Sequence, residues 1–271
     1  MNYKIGFIGA GNMGSALIKG IASKGLINPG NIYISDAAFE KASALAKEAG
    51  CNAVADNGEL TDKCDIVILA VKPNYVKEVL EEIKPSFNSN KIFVSIAVGI
   101  PISFYVSILG SNTKIIRVMP NTPALVGEGM TLIARNDKIA NEEVSYIKNM
   151  LECTGLVEEL EERLMSEVTA LTGSSPAYVF MFIEAMADAA VQSGIPRALS
   201  YKLAAQAVLG SAKMVIETGK HPGELKDQVC SPAGTTIESV YSLEKNGFRG
   251  IVMEAMDCCT KKAIEIGRKF N

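Results

Sequence analysis

The sequence contains a single histidine, His221, and no tryptophan. One histidine excludes a metal site built from several histidines, and we expect no metal site. No apolar run reaches the roughly 18 to 20 residues that a membrane-spanning helix needs, so none is predicted. The N-terminal stretch lacks both a basic segment and a small-residue cleavage site, and it is predicted to be a strand rather than a signal peptide.

An excess of basic residues is also missing. The chain has 27 Lys and Arg against 30 Asp and Glu, a net charge of −3. This balance argues against nucleic acid or a membrane surface as the main partner, because both require clustered cations. The six cysteines show no C-x-x-C spacing, and the adjacent pair Cys258–Cys259 has poor geometry for a structural disulfide. Reduced thiols in a cytoplasmic protein are therefore expected.

The sequence does contain an alternation of short apolar runs and amphipathic segments, which continues to about residue 161. The predicted strands are Lys4–Ile8, Ile32–Ser35, Ile66–Val71, Ile92–Ile96, Lys114–Met119, Met130–Ala134 and Leu156–Glu159. The predicted helices are Met13–Ser23, Phe39–Glu48, Tyr75–Ile83, Ile102–Leu109 and Asn141–Leu151. Strands and helices in alternation predict right-handed βαβ crossovers, and hence a doubly wound α/β domain of the Rossmann type over residues 1–161.

Residues 162–271 have a different character and predict an all-α C-terminal domain for dimerisation. Helices are expected at Arg163–Ser193, Arg197–Thr218, Ala233–Asn246 and Gly250–Lys269, and the first should kink or restart at Pro176. Part of it, AYVFMFIEAMADAAV, is apolar nearly all round. Helices of this kind are buried on several sides. We therefore expect a second copy of the chain to cover them, with a tightly wound monomeric bundle as the alternative.

Residues 9–14 read GAGNMG, a G-x-G-x-x-G turn between a strand and a helix. Gly9 permits the tight turn, Gly11 lets the backbone approach a pyrophosphate, and Gly14 lets the helix pack on its strand. Asp36 lies 22 residues beyond the last of these glycines, near the spacing of the acid that binds ribose. The first 36 residues therefore predict a binding site for NAD(P).

Two roles are open for Asp36. Its carboxylate can bond the ribose 2′-hydroxyl, which favours NADH over NADPH. It can instead be the N-cap of the helix that starts near Ala38. Ser35 and Lys41 would suit a 2′-phosphate, so the cofactor is predicted as NADPH or NADH without a preference.

Doubly wound sheets bind ligands beyond the carboxyl ends of their strands. That rule selects Asn57 and the segments Ala70–Pro73, Ser95–Gly99 and Met119–Pro123. Small residues at Ala70, Ala97 and Gly99 would let nicotinamide and ribose lie against the backbone. The simpler alternative makes each segment a strand-ending turn.

The helical half contains two polar stretches of small residues, Thr172–Pro176 and Cys230–Glu238. The second lies at a predicted helix start, where free backbone N–H groups attract a carboxylate. Ordinary N-capping by Ser231, Thr235 and Thr236 is the alternative. Gly234 and two consecutive threonines suit the close approach of a ligand.

With these stretches the chain resembles the Δ1-pyrroline-5-carboxylate reductases, which make L-proline. The resemblance runs end to end through IGFIGAGNMG, AVKP, MPNTPALV, TGSSPAYVFMFIEAMADAAV and HPGELKDQVCSPAGTTIE. It implies hydride transfer from NAD(P)H to the C=N carbon of a cyclic imine, the last step of proline biosynthesis. It also implies intertwined homodimers formed through the helical half, often assembled into a ring of dimers.

The resemblance further implies site residues. The substrate carboxylate and ring nitrogen fall to Ser231, Gly234, Thr235 and Thr236, with Thr236 at the nitrogen as the catalytic residue. The implied cofactor contacts are Gly9, Ala10, Gly11, Asn12, Met13, Gly14, Ser35, Asp36, Asn57, Ala70, Val71, Lys72, Pro73, Ile96, Ala97 and Val98. Because a protonated imine is already electrophilic, no strong general acid is needed, and His221 is expected to be a loop residue.

The chain departs from the family at Ala233, where the substrate loop usually has glycine. A positive φ at that position would be unusual for alanine.

Two other functions are the alternatives to a reductase. A β-hydroxyacid dehydrogenase is expected to have a lysine soon after Gly173, but SSPAYVFMFIEA contains none. A non-catalytic NAD(P)-binding regulator is expected to have lost the hydroxyls of residues 231–236, but they are present.

Overall fold

A computed structural model describes residues 3–270 of the chain. They form two compact units, one of residues 3–173 with 260–270 and the other Ser174–Cys259. We call them the sheet unit and the helical unit. The predicted domain boundary at residue 161 marks the end of the strand-and-helix alternation and stays a prediction.

The sheet unit contains one sheet of eight strands in the order β3-β2-β1-β4-β5-β6-β7-β8. The strands are β1 (Ile5–Ile8), β2 (Ile32–Ser35), β3 (Asn52–Ala53), β4 (Ile66–Leu69), β5 (Ile92–Ser95), β6 (Lys114–Met119), β7 (Gly129–Arg135) and β8 (Gly155–Glu159). Every described pair is parallel except β6 with β7. The expected doubly wound fold is confirmed.

Six helices cover the two faces of this sheet. They are α1 (Asn12–Ser23), α2 (Phe39–Ala49), α3 (Asn57–Lys63), α4 (Val76–Ile83), α5 (Ile102–Leu109) and α6 (Asn141–Leu151). Alternate residues of each strand point to opposite faces, so Ile66 and Ile68 of β4 join the core beneath α1, α2 and α6. Val67 and Leu69 join the core beneath α3, α4 and α5. β3 and α3 are not among the predicted elements, because segments of two and seven residues carry little periodicity.

The remaining helices are α7 (Ser175–Gln192), α8 (Arg197–Thr218), α9 (Pro222–Val229), α10 (Thr235–Lys245) and α11 (Phe248–Gly267). The predicted start of a helix at Arg163 is wrong, because residues Glu162–Leu164 form a 3-10 turn and Thr169–Gly173 a π-helical turn. The restart is confirmed, with Pro176 in the first turn of α7, where its missing N–H costs no helical bond. The helix α9 was not predicted.

Very little of the helical unit is buried in the single chain. Over Ser174–Cys259 the buried residues are Ala187, Ser200 and Ala204. Phe180 is 59% exposed and Met253 is 72% exposed. A self-contained monomeric bundle would bury such side chains, so that alternative is wrong for this chain. Among residues 3–270, no helix is long and apolar enough to span a membrane.

Candidate functional site

The three glycines of the β1–α1 turn are needed for three different reasons. Gly9 has φ +109°, and a Cβ there would lie 2.6 Å from the carbonyl oxygen of Ala70. A Cβ on Gly14 would collide with the carbonyl oxygen of Gly9, whereas one on Gly11 would meet no heavy atom within 4 Å. The turn is therefore packed tightly on the protein side and open beside Gly11, as close approach of a pyrophosphate requires.

The N-terminus of α1 is available to an anion. Gly11 is its N-cap, no side chain caps the helix, and its first turn has no acidic residue. The unpaired N–H groups of a first helical turn attract a phosphate. The residues of this turn fit the diphosphate of a dinucleotide.

Asp36 binds backbone with both carboxylate oxygens. Ala10 donates its N–H to Oδ2 at 2.8 Å, and Ala38 donates to Oδ1 at 3.0 Å. The N-cap of α2 is Ala38, so the expectation that Asp36 caps this helix is wrong in that form. Each carboxylate oxygen still has acceptor capacity left, and the bond to a ribose hydroxyl stays a prediction. Asp36 joins the glycine turn to the start of α2.

A second set of hydrogen bonds joins the end of β2 to α3 and α4. The Ser35 hydroxyl donates to Oδ1 of Asn57 at 2.7 Å, and Nδ2 of Asn57 donates to Glu82 at 2.7 Å. Two residues that were predicted to contact the cofactor therefore touch each other. Glu82 was not predicted, because a charged residue on an amphipathic helix looks like any other solvated position.

The strand ends that were expected to form the cofactor site are aligned by the sheet register. Ile8 is paired with Ser35 on one side and with Leu69 on the other, and Leu69 is paired with Ser95. The segments that follow, Ala70–Pro73 and 96–98, therefore leave the sheet at the same edge. Within them Ile96 and Ala97 are buried, whereas Val98 is exposed.

Asn121, in the segment after β6, is instead a structural tie. It is buried, its Nδ2 donates to the carbonyl of Thr172 at 3.0 Å, and its Oδ1 accepts the N–H of Met130 at 2.9 Å. Both ends of its amide are used by backbone. The alternative of a strand-ending turn therefore accounts for this residue.

In the helical unit, residues 231–234 form a tight turn before α10. Gly234 donates its N–H to the carbonyl of Ser231 at 3.0 Å, and Ala233 has φ +55°. Proline second and a left-handed residue third are the features of a type II turn. A Cβ on Gly234 would collide with Oγ of Ser231, so a larger residue there would displace the Ser231 hydroxyl.

The N-terminus of α10 is open as well. Its N-cap is Gly234, and no side chain caps it. The alternative in which Ser231, Thr235 or Thr236 caps this helix is therefore wrong. The helix starts at Thr235 rather than Ala233, because Ala233 is left-handed. Free N–H groups beside the half-buried Thr236 can receive a carboxylate.

His221 is used locally. Its Nδ1 accepts the N–H of Gly223 at 3.0 Å, and it is the N-cap of α9, just before Pro222. The expectation of a loop residue before Pro222 is confirmed, and this residue also caps the helix that follows.

All six cysteines are free: Cys51, Cys64, Cys153, Cys230, Cys258 and Cys259. Burial raises the pKa of the Cys64 thiol to about 12 and those of Cys51 and Cys153 to about 11. These three thiols stay protonated near neutral pH and are poor nucleophiles.

Two family models match the chain. The one described as pyrroline-5-carboxylate reductase dimerisation covers residues 162–266, and the one described as coenzyme F420-dependent NADP oxidoreductase covers residues 4–99. The pyrroline-5-carboxylate reductase of Escherichia coli (strain K12) is 49% identical over 268 residues, 99% of this chain and 100% of that protein. The chain belongs to the pyrroline-5-carboxylate reductase family.

Solved structures agree. The pyrroline carboxylate reductase of Plasmodium falciparum, with NADP bound, has a TM-score of 0.88 and 38% identity, covering 98% of each chain. The pyrroline-5-carboxylate reductase of Coxiella burnetii has a TM-score of 0.92 and 32% identity, covering 98% of this chain and 99% of that one. An archaeal ketol-acid reductoisomerase, 18% identical with a TM-score of 0.63, shares the fold alone. The chain is an NAD(P)-dependent oxidoreductase with a dimerisation domain in its helical half.

Proposed function

We propose that this chain reduces 1-pyrroline-5-carboxylate to L-proline with NADPH or NADH as the hydride donor. The observation that carries the proposal is the end-to-end relationship to reductases of that name, 49% identical over 99% of the chain. In this reaction the C=N carbon gains a hydride and the ring nitrogen ends as an amine. It is the last step of proline biosynthesis.

The sheet unit would hold the cofactor. The open side of Gly11 and the uncapped N-terminus of α1 would bind the diphosphate. Ser35, Asp36 and Asn57 would contact the adenosine ribose, and residues 70–73 and 96–98 the nicotinamide end. When bound, NAD(P)H supplies a hydride from C4 of its nicotinamide ring.

The helical unit supplies the substrate contacts. The turn from Ser231 to Gly234 and the first N–H groups of α10 hold the substrate carboxylate, aided by the Thr235 hydroxyl. Thr236 lies within the first turn of α10, and its hydroxyl orients the ring nitrogen. Because the protonated imine is electrophilic, these residues only need to place its carbon near the hydride donor.

We further propose an intertwined homodimer formed through the helical half, assembled into a ring of dimers, and a location in the cytoplasm. The exposed apolar side chains of α7, α8 and α11 support the dimer. Six unpaired cysteines support a reducing compartment.

The test is oxidation of NADPH and NADH by the purified protein with pyrroline-5-carboxylate, both cofactors measured side by side. We expect turnover, and the ratio of the two kcat/KM values gives the cofactor preference. A correctly folded protein with no turnover on either cofactor overturns the reductase. Turnover of a β-hydroxyacid instead would identify a dehydrogenase, and binding without any turnover a regulator.

A further inference from the structure

Two buried hydroxyl groups meet beneath the loop that follows β5. Ser95, the last residue of β5, and Tyr105 of α5 are both 0% exposed. Their hydroxyl oxygens lie 2.6 Å apart. Burial raises the pKa of Tyr105, so its hydroxyl keeps its proton. A hydrogen bond between two such groups satisfies polar atoms that would be costly to bury unpaired.

Oγ of Ser95 also binds the loop itself. It accepts a hydrogen bond from the N–H of Ala97 at 3.2 Å. Ile96, which lies between them, donates its N–H to the carbonyl of Leu69 at 3.0 Å. The backbone that leaves β5 is therefore fixed by two consecutive hydrogen bonds. One of them depends on the rotamer of Ser95.

The Tyr105 hydroxyl can set that rotamer because its own position is fixed. The Tyr105 ring packs on Phe93 of β5 with 5.1 Å between the ring centroids. A tyrosine held in this way presents its hydroxyl at a single place. Ser95 is thereby kept in the rotamer that receives Ala97.

The far end of the loop is anchored by a different contact. Ile102, the first residue of α5, donates its N–H to Glu162 at 2.6 Å, and the buried Arg117 guanidinium lies 3.3 Å from the same carboxylate oxygen. Between the two anchors, Val98 is exposed and Gly99 has φ +81°. The loop is therefore fixed at both ends, with Val98 as its exposed residue.

We propose that Tyr105 is a positioning residue for the cofactor: through Ser95 it fixes the backbone of residues 96–98 against which the nicotinamide end lies. The inference rests on the proposed function of that segment. Tyr105 itself touches no reacting atom. Its hydroxyl acts one hydrogen bond away from Ala97, so its loss should be felt in cofactor binding before substrate binding.

The test is Tyr105→Phe, which keeps the ring on Phe93 and removes only the hydroxyl. Direct titration with NADPH should give a Kd about 3- to 10-fold above that of the wild type, the change expected for one hydrogen bond. The KM for NADPH should rise in parallel, while the KM for pyrroline-5-carboxylate stays within about twofold. The matched control is Tyr146→Phe, which removes a half-buried hydroxyl on α6 of the same unit and should leave the Kd unchanged.

Ser95→Ala and the double variant complete the test. If the two hydroxyls act as one unit, Ser95→Ala raises the Kd similarly and the double variant is no worse than either single one. A wild-type Kd in folded Tyr105→Phe, with or without a lower Tm, overturns the proposal, as do additive effects. If Tyr105→Phe does not fold, a wild-type Kd in Ser95→Ala overturns it equally. Because the titration needs no substrate, wild-type protein that binds NADPH without reducing the imine would overturn the proposed function alone.

Discussion

The two units of this chain differ sharply in how many of their apolar side chains they bury. In the sheet unit, β1, β4 and β5 are buried at every position, and α4 covers them with four buried residues of eight. In the helical unit, α8 buries two of its 22 residues and α10 buries none. The sheet unit therefore has a complete core of its own, whereas the helical unit leaves its apolar side chains exposed.

The difference shows where a second copy of the chain is needed. Burial of apolar surface is the main favourable term in folding, and an apolar patch of this size on a single chain marks an interface. The family model over residues 162–266 is described by dimerisation, in agreement with this. The glycine turn of the proposed cofactor site lies in the unit that buries its own core, whereas the proposed substrate turn lies in the unit whose apolar side chains are exposed.

The strongest test of this contrast compares charged substitutions on the surfaces of the two units. The double variant Phe180→Asp, Met253→Asp puts carboxylates on α7 and α11, where burial against a second copy would leave them unpaired at a cost of several kcal/mol each. We expect loss of the oligomer by analytical ultracentrifugation and a loss of reductase activity of at least about 100-fold.

Leu26→Asp is the matched control in the sheet unit. Leu26 is 58% exposed, much like Phe180 at 59%, so the variant should keep the oligomer and the activity of the wild type. Assembly that survives both helical-unit charges would show that this surface is not the interface.

A second test distinguishes the proposed substrate site from the proposed cofactor site. Thr236→Ala removes the hydroxyl proposed to orient the ring nitrogen, and kcat/KM for pyrroline-5-carboxylate should fall about 100-fold, the lower end for such proton assistance. The Kd for NADPH should stay within about twofold. Ser239→Ala is the control, since that hydroxyl donates to the Thr235 carbonyl inside α10 and should have little effect. An equal loss of cofactor binding in Thr236→Ala would place its role elsewhere.

The doubly wound fold could be predicted from the sequence, and so could the glycine turn after β1 and a helix start near Thr235, whose roles in binding stay predictions. The G-x-G-x-x-G turn has its required context, and strands such as Ile66–Leu69 read as apolar runs between amphipathic helices. Periodicity of this kind reports which residues face a core. It does not report which polar groups meet across the fold, so Glu82 and the Ser95–Tyr105 pair had no signal in the sequence.

Local conformation was harder to predict where two interpretations used the same residues. Asp36 suits either a ribose ligand or a helix cap, and neither interpretation predicts that it binds the N–H groups of Ala10 and Ala38. Only the folded chain brings the glycine turn within reach of β2. Likewise the start of α10 could not be placed, because alanine is a strong helix former and Ala233 is left-handed here.

Asp36 therefore offers a third test, on the sheet unit. Asp36→Ala frees the N–H of Ala10, so we expect the Kd values for NADH and NADPH both to rise about 3- to 10-fold. On top of this, loss of the negative charge should favour the 2′-phosphate and shift the ratio of the two Kd values towards NADPH. Asp36→Asn keeps one acceptor and should show the shift with a smaller common loss. A common loss with no change of ratio would assign Asp36 to the turn alone.

The smallest effect is expected at Ala233, the residue of the proposed substrate turn that has a positive φ. Gly9 of the glycine turn is the residue to compare with it. Gly9 has φ +109° and no room for a Cβ, whereas Ala233 has φ +55° and its side chain is exposed. An L-residue in the left-handed region costs about 1–2 kcal/mol, and glycine there loses about 0.4–1 kcal/mol through the greater freedom of the unfolded chain. Ala233→Gly should therefore raise stability by about 0.5–1 kcal/mol, seen as a slightly higher Tm with KM for the substrate near the wild-type value. A lower Tm in Ala233→Gly would mean that Ala233 does not adopt this conformation in the assembled enzyme.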